Sequence, residues 1–485
     1  MKKFILAIVF SCSVYAALPT NGTTIWEIRP STGNNNNGGC YIAGSTGTDF
    51  SQQGSPQKAF TDLIIGGTTT QATSVASPFA TTDIGNCIQV ISGSGCTTGF
   101  YQIVSVTTVT ATVDRSLGTG ASVCTANEGG ALKTIGAWNT LIVATCGGVC
   151  GWGAWVKAET TITITTYFNF NAFTQPNQGV PGAFLEGYSS TRGDGGQVTI
   201  QQTADLTFGH PIIDINGNAG GFILGNFILD CNSQATSRGL NIQGGQGVNF
   251  AFNIKITNCT ITSGSMTFNS NGHTCRQCSI TGSASGFLLD SGNGGNVCIE
   301  CTAIGGTGPG FLLAYSSCIR CIAANNSGAS SDGFQISTNS GNYLISIDQS
   351  IAYNNGRDGI RMAPGELVSI TNTVLYGNAG IGINDTRNNL LLGQVFANWN
   401  AFGANTGGAR SQVPVGSNDV ALSGDPFTAG GSSNFAPASS AAGTQIKGTG
   451  FPGTLLVGGI GAANIGTLQS AGSSGGGISG SPITQ

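Results

Sequence analysis

Seven short segments, each a glycine followed by an alternating strand, recur through the middle of this 485-residue chain. They are Arg238-Gly-Leu-Asn-Ile242, Ser263-Gly-Ser-Met-Thr267, Ser285-Gly-Phe-Leu-Leu289, Pro309-Gly-Phe-Leu-Leu313, Asp332-Gly-Phe-Gln-Ile336, Asp358-Gly-Ile-Arg-Met362 and Ala379-Gly-Ile-Gly-Ile383. Successive glycines stand 25, 22, 24, 23, 26 and 21 residues apart. A period of that length marks a solenoid, in which a coil buries its apolar side chains only by stacking on its neighbours. Each glycine is expected to take φ > 0 at a sharp corner, after which alternate residues point inward and outward.

A second ladder has the same rhythm: Thr257-Asn-Cys259, Arg276-Gln-Cys278, Ile299-Glu-Cys301, Ile319-Arg-Cys321, Asp348-Gln-Ser350 and Thr371-Asn-Thr373. Ser, Thr, Asn and Gly interrupt every apolar run before a helical stripe can build up. The expected fold is therefore all-β, a right-handed parallel β-helix over residues 130–401 with coils of 20 to 26 residues.

The flanking stretches read differently. Met1-Lys-Lys3, the apolar run Phe4–Phe10 and Ala16-Ala17 form a signal peptide over residues 1–16, which directs export to the cell surface or beyond. Val9-Phe10-Ser11-Cys12 is a poor lipoprotein box, because Phe10 suits it badly. Residues 17–61 form an opening segment that caps the helix, and 62–129 switch to the Val/Thr alternation of an inserted antiparallel β-module. Residues 402–470 form a closing segment over the last coils, and 471–485 a disordered Gly/Ser tail.

These corner strands resemble those of the pectate-lyase-like family of secreted bacterial right-handed β-helices. Trp26-Glu-Ile-Arg-Pro with the Gly33–Gly39 loop and Ser55-Pro-Gln-Lys-Ala-Phe60-Thr61 is similar to the family's opening strand, loop and helix turn. Trp155-Val-Lys-Ala158 resembles its first coil, and Glu186-Gly-Tyr-Ser-Ser-Thr-Arg192-Gly-Asp194 its early corner. Asn434-Phe-Ala-Pro437 and Asn464-Ile-Gly-Thr-Leu468 look like its closing segments. The resemblance implies either polysaccharide lyase chemistry, with acidic Ca²⁺ ligands and a Lys or Arg base, or hydrolysis by two carboxylates. It specifies fold better than activity.

Of 15 cysteines, Cys12 leaves with the signal, and an even set remains for an oxidising compartment. Cys275-x-x-Cys278, Cys298-x-x-Cys301 and Cys318-x-x-Cys321 repeat at the coil period, so the pairs should stack. Disulfides are the default reading; a buried thiol ladder and a thiolate metal site compete with it. Spacing also suggests Cys87 with Cys96 and Cys146 with Cys150, while Cys40, Cys124, Cys231 and Cys259 find no partner by spacing.

Charged residues make up 8% of the chain, the net charge is −4, and no basic run exists to bind nucleic acid. Beyond the signal, no apolar run is long enough to span a membrane. The catalytic candidates are Asp214 and Asp230, in strand-like apolar runs where an ionised group needs a partner, with Lys255 as base. Asp205 joins this early set, whereas Asp332, Arg357, Asp358, Arg361 and Asp385 form a late one in which an acid before a glycine reads as a turn cap. His210 and His273 lie near no serine nucleophile motif, and the glycine-rich stretches lack the Lys of a phosphate loop. Trp26, Trp138, Trp152, Trp155 and Trp399 are candidates for sugar stacking.

The leading expectation is an exported, non-catalytic β-helix protein that contacts a polysaccharide or surface glycan, or assembles with further copies of itself as an adhesive or structural element. The alternative is a polysaccharide lyase or glycoside hydrolase, the only reading that would call for a cofactor, Ca²⁺. A third is a phage tailspike or fibre, against which the export signal weighs.

Overall fold

The computed structural model describes residues 24–145, 153–170, 184–206, 209–216, 221–243, 249–269, 272–290, 295–337, 344–363, 367–386 and 395–447. The expected signal peptide, Cys146, Cys150, Trp152 and the expected tail lie outside them. The chain is nearly all-β: a parallel β-solenoid, with a closed antiparallel module near the N-terminus and few helices. It divides into two compact units. The first takes in the chain to Leu206 with His210–Asp230 and Ile242–Ile254; the second takes in Thr207–Gly209, Cys231–Asn241 and Lys255 onward. No helix among the described residues is long and apolar enough to cross a membrane.

In the first unit, strands Thr24–Ile28, Gly153–Lys157, Phe184–Tyr188 and Ile223–Asp230 pair in parallel, one coil to the next. Their inward residues Trp26, Ile28, Ala154, Val156, Leu185 and Leu224 are sealed from solvent. Asn226 takes φ +65° within the fourth strand and splits it, so that its first part pairs with Phe184–Glu186 and its second with Val198–Gln201. Asn suits this conformation because its short polar side chain bonds locally; here it donates to the Gly187 carbonyl at 3.1 Å.

Six strands between Lys58 and Glu128 close into the antiparallel module around Phe60, Leu63, Ile88, Val90, Ile103, Val113 and Ala126. This corrects the helix turn expected at Phe60, which lies in strand Lys58–Ile65. The helix comes after the module, at Ile135–Thr145, where the Thr134 hydroxyl accepts from the Ala137 amide at 3.1 Å. Two disulfides serve this region, Cys40–Cys87 and Cys96–Cys124, in place of the expected Cys87–Cys96. The reason is that strand Cys87–Ser92 separates Cys87 from the turn holding Cys96, and its length of about 20 Å exceeds the reach of a disulfide.

The second unit shows what the repeating glycines do. Phe287, Phe311, Phe334, Ile360 and Ile383 are register partners, so the residues before them form a column: Gly286, Gly310, Gly333, Gly359 and Gly382. A Cβ at Gly310, Gly333 or Gly359 would lie 2.8, 2.6 or 2.7 Å from the next coil's carbonyl oxygen. Close backbone approach therefore requires glycine here, and of the seven expected corner glycines only Gly264 takes φ > 0. The column also corrects two positions: Ser265 stands beside Gly286 instead of Gly264, and Gly382 beside Gly359 instead of Gly380. Inside the column the rings of Phe287, Phe311 and Phe334 stack at 4.8 and 5.0 Å.

The left-handed residues are elsewhere. Gln277, Glu300, Arg320, Gln349, Asn372 and Trp399 have φ between 50 and 58°. Each precedes a small or polar residue of one column: Cys278, Cys301, Cys321, Ser350, Thr373 and Asn400. Cys259, expected in this ladder, lies off it, because Lys255 pairs with Ser279 and so sets Cys259 opposite Ser283. Cys231 and Cys259 are disulfide-bonded. At another corner, Asn326, Asn355, Asn378 and Asn405 form a ladder in which each amide donates to the next at 2.8 to 2.9 Å. Phe427, Phe435 and Ile446 of the closing segment pack on Ile351, Tyr353 and Val374.

Asn355 is buried, and its amide also serves the Ala323 carbonyl at 3.0 Å. Replacing it strands buried groups on both sides. Asn355→Ala should lower the unfolding free energy by about 2 kcal/mol in urea denaturation.

Candidate functional site

The outer face of the first unit departs from the polar surface normal for a solvated strand. One rung of register partners runs Glu27, Trp155, Glu186, Gly225. Outward residues alternate along each strand, which places Phe184 and Tyr188 on either side of Glu186. The Trp155 ring lies 5.1 Å from that of Phe184 and 6.4 Å from that of Tyr188. Two glycines admit further rings: a Cβ at Gly153 would meet Phe184 at 1.7 Å, and one at Gly225 would meet Phe252 at 2.2 Å. Phe252 therefore covers the position next to Glu186 and stacks with Phe250 at 5.6 Å.

Glu186 thus sits in a box of aromatic rings with no hydrogen-bond partner among the described residues. Trp155, Phe184, Glu186 and Phe252 are all half-buried, so the box opens to solvent. Desolvation pushes the Glu186 carboxyl up to about 7. A carboxyl poised there holds its proton in mild acid and releases it near neutrality.

Glu27 lies two strand spacings away, about 9.6 Å at the backbone, and has the opposite surroundings. It is fully buried and accepts from Arg192 Nε at 2.8 Å and from the Tyr188 hydroxyl. Burial still raises its pKa, with Arg192 the largest opposing influence. Arg192 continues to Asp49 at 2.8 Å and to the Ser51 hydroxyl at 3.0 Å. The corner carrying Arg192 is itself tied by Asp194, which accepts from the amides of Ser189, Ser190, Thr191 and Gly196 at 2.6 to 3.0 Å. Those bonds hold the Asp194 carboxyl well below the usual range. Glu27 therefore anchors the opening strand to the corner, and Glu186 faces out.

The sequence candidates are dispersed. Asp214 is buried on strand Pro211–Ile215, which pairs with Phe168–Asn169. Asp230 lies on a strand of another sheet and accepts from Gln201 Nε2 at 2.8 Å. Lys255 is exposed and belongs to the second unit, and Asp205 is exposed in the first. Asp332 takes Arg357 and the Asp358 amide, and Asp358 takes the Ile381 amide at 2.8 Å with Arg361 at 3.8 Å, as turn caps do. Asp385 is buried on strand Ile383–Asp385. His210 stacks on Tyr167 at 4.1 Å, and burial lowers the fully buried His273 to about 4. Trp26 and Trp138 are core residues, which leaves Trp155 and Trp399 half-buried among the described tryptophans. Sequence reasoning quoted Glu186 only as part of a corner. The signal it passed over is aromatic residues at successive outward positions.

Cys275, Cys278, Cys298, Cys301, Cys318 and Cys321 are buried and carry no disulfide, at variance with the disulfide expectation. Cys275, Cys298 and Cys318 are register partners. Cβ atoms stacked in a parallel ladder stand about 4.8 Å apart, beyond the roughly 3.5 to 4.5 Å of a relaxed disulfide.

No protein-family model matches this chain, and no curated protein matches it. Solved structures do. The pectate lyase Pel9A is similar with a TM-score of 0.36 and 15% identity, over 70% of this chain and 91% of its own. The catalytic domain of a GH87 α-1,3-glucanase, solved with tetrasaccharides, gives 0.36 and 11%, over 83% and 95%. The A-module of the Azotobacter vinelandii mannuronan C-5 epimerase AlgE6 gives 0.25 and 12%, over 58% and 93%. The fold described above rests on the strand registers.

A Glu whose folded pKa is raised binds its proton more tightly folded than unfolded, so its stabilising effect is present in mild acid and is lost as pH rises through the folded value. Between about pH 4.5 and 7, Glu186 should make the protein less stable with rising pH. Glu128 in the antiparallel module has the same sign, raised to about 8 by burial and by Asp83. Glu186→Gln should flatten the fall in urea midpoint across this window, leaving the parts owed to other raised carboxyls such as Glu128 and Glu27.

Proposed function

We propose that this chain is an exported carbohydrate-interacting β-helix protein that contacts a glycan through the outer face of its first unit. The observation that carries this reading is Glu186, without a hydrogen-bond partner among the described residues, within the half-open box of Trp155, Phe184, Tyr188 and Phe252. A sugar ring offers an apolar C–H face and a rim of hydroxyls, which match an aromatic wall and a single carboxyl at its centre. The three disulfides among the described residues suit the oxidising compartment that export implies.

Binding is favoured over cleavage because hydrolysis by the two-carboxylate route needs a second acid facing the same space. Glu27, the nearest acid on the rung, is buried and held by Arg192 and Tyr188. One observation supports the second reading, a glycosidase: a carboxyl raised to about 7 is suited to donate a proton to a leaving group.

The test is a panel of neutral and uronate-containing polysaccharides, with retention measured by affinity electrophoresis and cleavage by reducing ends and unsaturated product. Trp155→Ala should abolish retention of the bound member, and the wild type should release no product. Product that disappears in Glu186→Gln would establish the glycosidase instead. Retention unchanged in Trp155→Ala and Phe252→Ala would remove the site.

A further inference from the structure

Six cysteines of the second unit that carry no disulfide form a compact sulfur cluster. Cys275, Cys298 and Cys318 lie on strands Thr274–Arg276, Asn296–Ile299 and Ser316–Ile319, while Cys278, Cys301 and Cys321 follow the left-handed corner residues. All are at most 1% exposed. The sulfurs of Cys275 and Cys301 approach to 3.3 Å along the diagonal between coils. Those of Cys275, Cys278 and Cys301 all lie within 4.8 Å of one another. The Met266 thioether is 3.9 Å from the Cys275 sulfur.

We propose that Cys275, Cys278 and Cys301 form a binding site for a monovalent thiophilic metal ion, Cu(I), with the Met266 thioether as a soft neighbour. Three sulfurs around one ion at a metal–sulfur distance of about 2.3 Å stand about 4 Å apart, a spacing that the observed limit of 4.8 Å accommodates. The ligand set contains sulfur alone, and thiolate with thioether selects soft ions over hard ones. The three cysteine sulfurs that lie within 4.8 Å of one another are one short of the four Cys or His ligands of a structural zinc site. Cysteines ligate metal as thiolates, so loading forms copper–sulfur bonds and releases one proton from each ligating cysteine to the buffer, and no electron moves.

A disulfide accounts for the cluster less well. All six cysteines of the cluster carry no disulfide. The chain closes disulfides elsewhere at Cα separations of 4.9 to 6.0 Å, so its cysteines are not generally held apart.

The site is sealed, so metal must enter as the chain folds. The intact protein should therefore be produced in medium supplemented with copper and zinc, then purified without chelators. Elemental analysis should find stoichiometric copper and no zinc, and X-ray absorption at the copper edge should show sulfur-only, three-coordinate Cu(I). Copper should fall to background in Cys301→Ser and Cys278→Ser, and be retained in Cys321→Ser. Serine already occupies this corner column at Ser350, so the substitution fits the fold. Thermal midpoints of the metal-free variants check folding, and the absorption spectrum of the wild type stands independently of them. Copper retained in Cys301→Ser, zinc bound in its place, or six cysteines that alkylate only after reduction would each overturn the proposal.

Discussion

Adjacent coils in this solenoid lie one strand spacing apart, about 4.8 Å, and each side chain has a counterpart at that distance above and below. The column through Gly310, Gly333 and Gly359 exists because no Cβ fits between one coil and the next carbonyl. The amides of Asn326, Asn355, Asn378 and Asn405 pair because identical groups repeat at hydrogen-bonding distance. Corners at Asn258, Gln277, Glu300 and Arg320 accept a left-handed backbone that costs an ordinary residue about 1 kcal/mol or more, since stacked coils fix it. Spacing between coils governs the sulfur cluster as well: it lets cysteines touch while holding the stacked ones beyond relaxed disulfide geometry.

The same spacing makes the candidate site. A carboxyl on an outer strand face is ordinarily wet and ionised. Glu186 is half-buried with its pKa raised to about 7, because Trp155 stands one coil away on one side and Phe252 leans over the bare Gly225 on the other. Glu27 shares the rung and was drawn into a different role by Arg192, whose position is set by the corner that Asp194 caps. Two acids in register are thus set apart by their neighbours: one ties the opening strand to the corner, and the other faces out.

Much of the repeat was legible because glycine spacing reports coil length directly. The register was less so at Gly264 and Gly380, where a glycine one residue or two residues off the column, respectively, has the same local pattern and only the pairing of Phe287 and Ile383 separates them. Phe60 was read as a helix turn because the inserted module interrupts the opening segment; the helix was displaced to Ile135, past the insertion. Cys231 and Cys259 could not be paired by spacing, since their bond joins successive coils. Glu186 was hidden for a different reason. Its character comes from rings contributed by Gly153–Lys157 and by Phe252, which sequence distance does not connect.

The central claim is that stacking places a desolvated, ligand-accessible carboxyl on the first unit. It is tested most directly by following the Glu186 carboxyl carbon by NMR in isotopically labelled protein, titrated with and without a retained oligosaccharide, and assigned with Glu186→Gln. The account expects a midpoint near 7 that moves when sugar fills the box. A midpoint in the ordinary glutamate range, indifferent to sugar, would mean that water reaches the carboxyl freely and would contradict it.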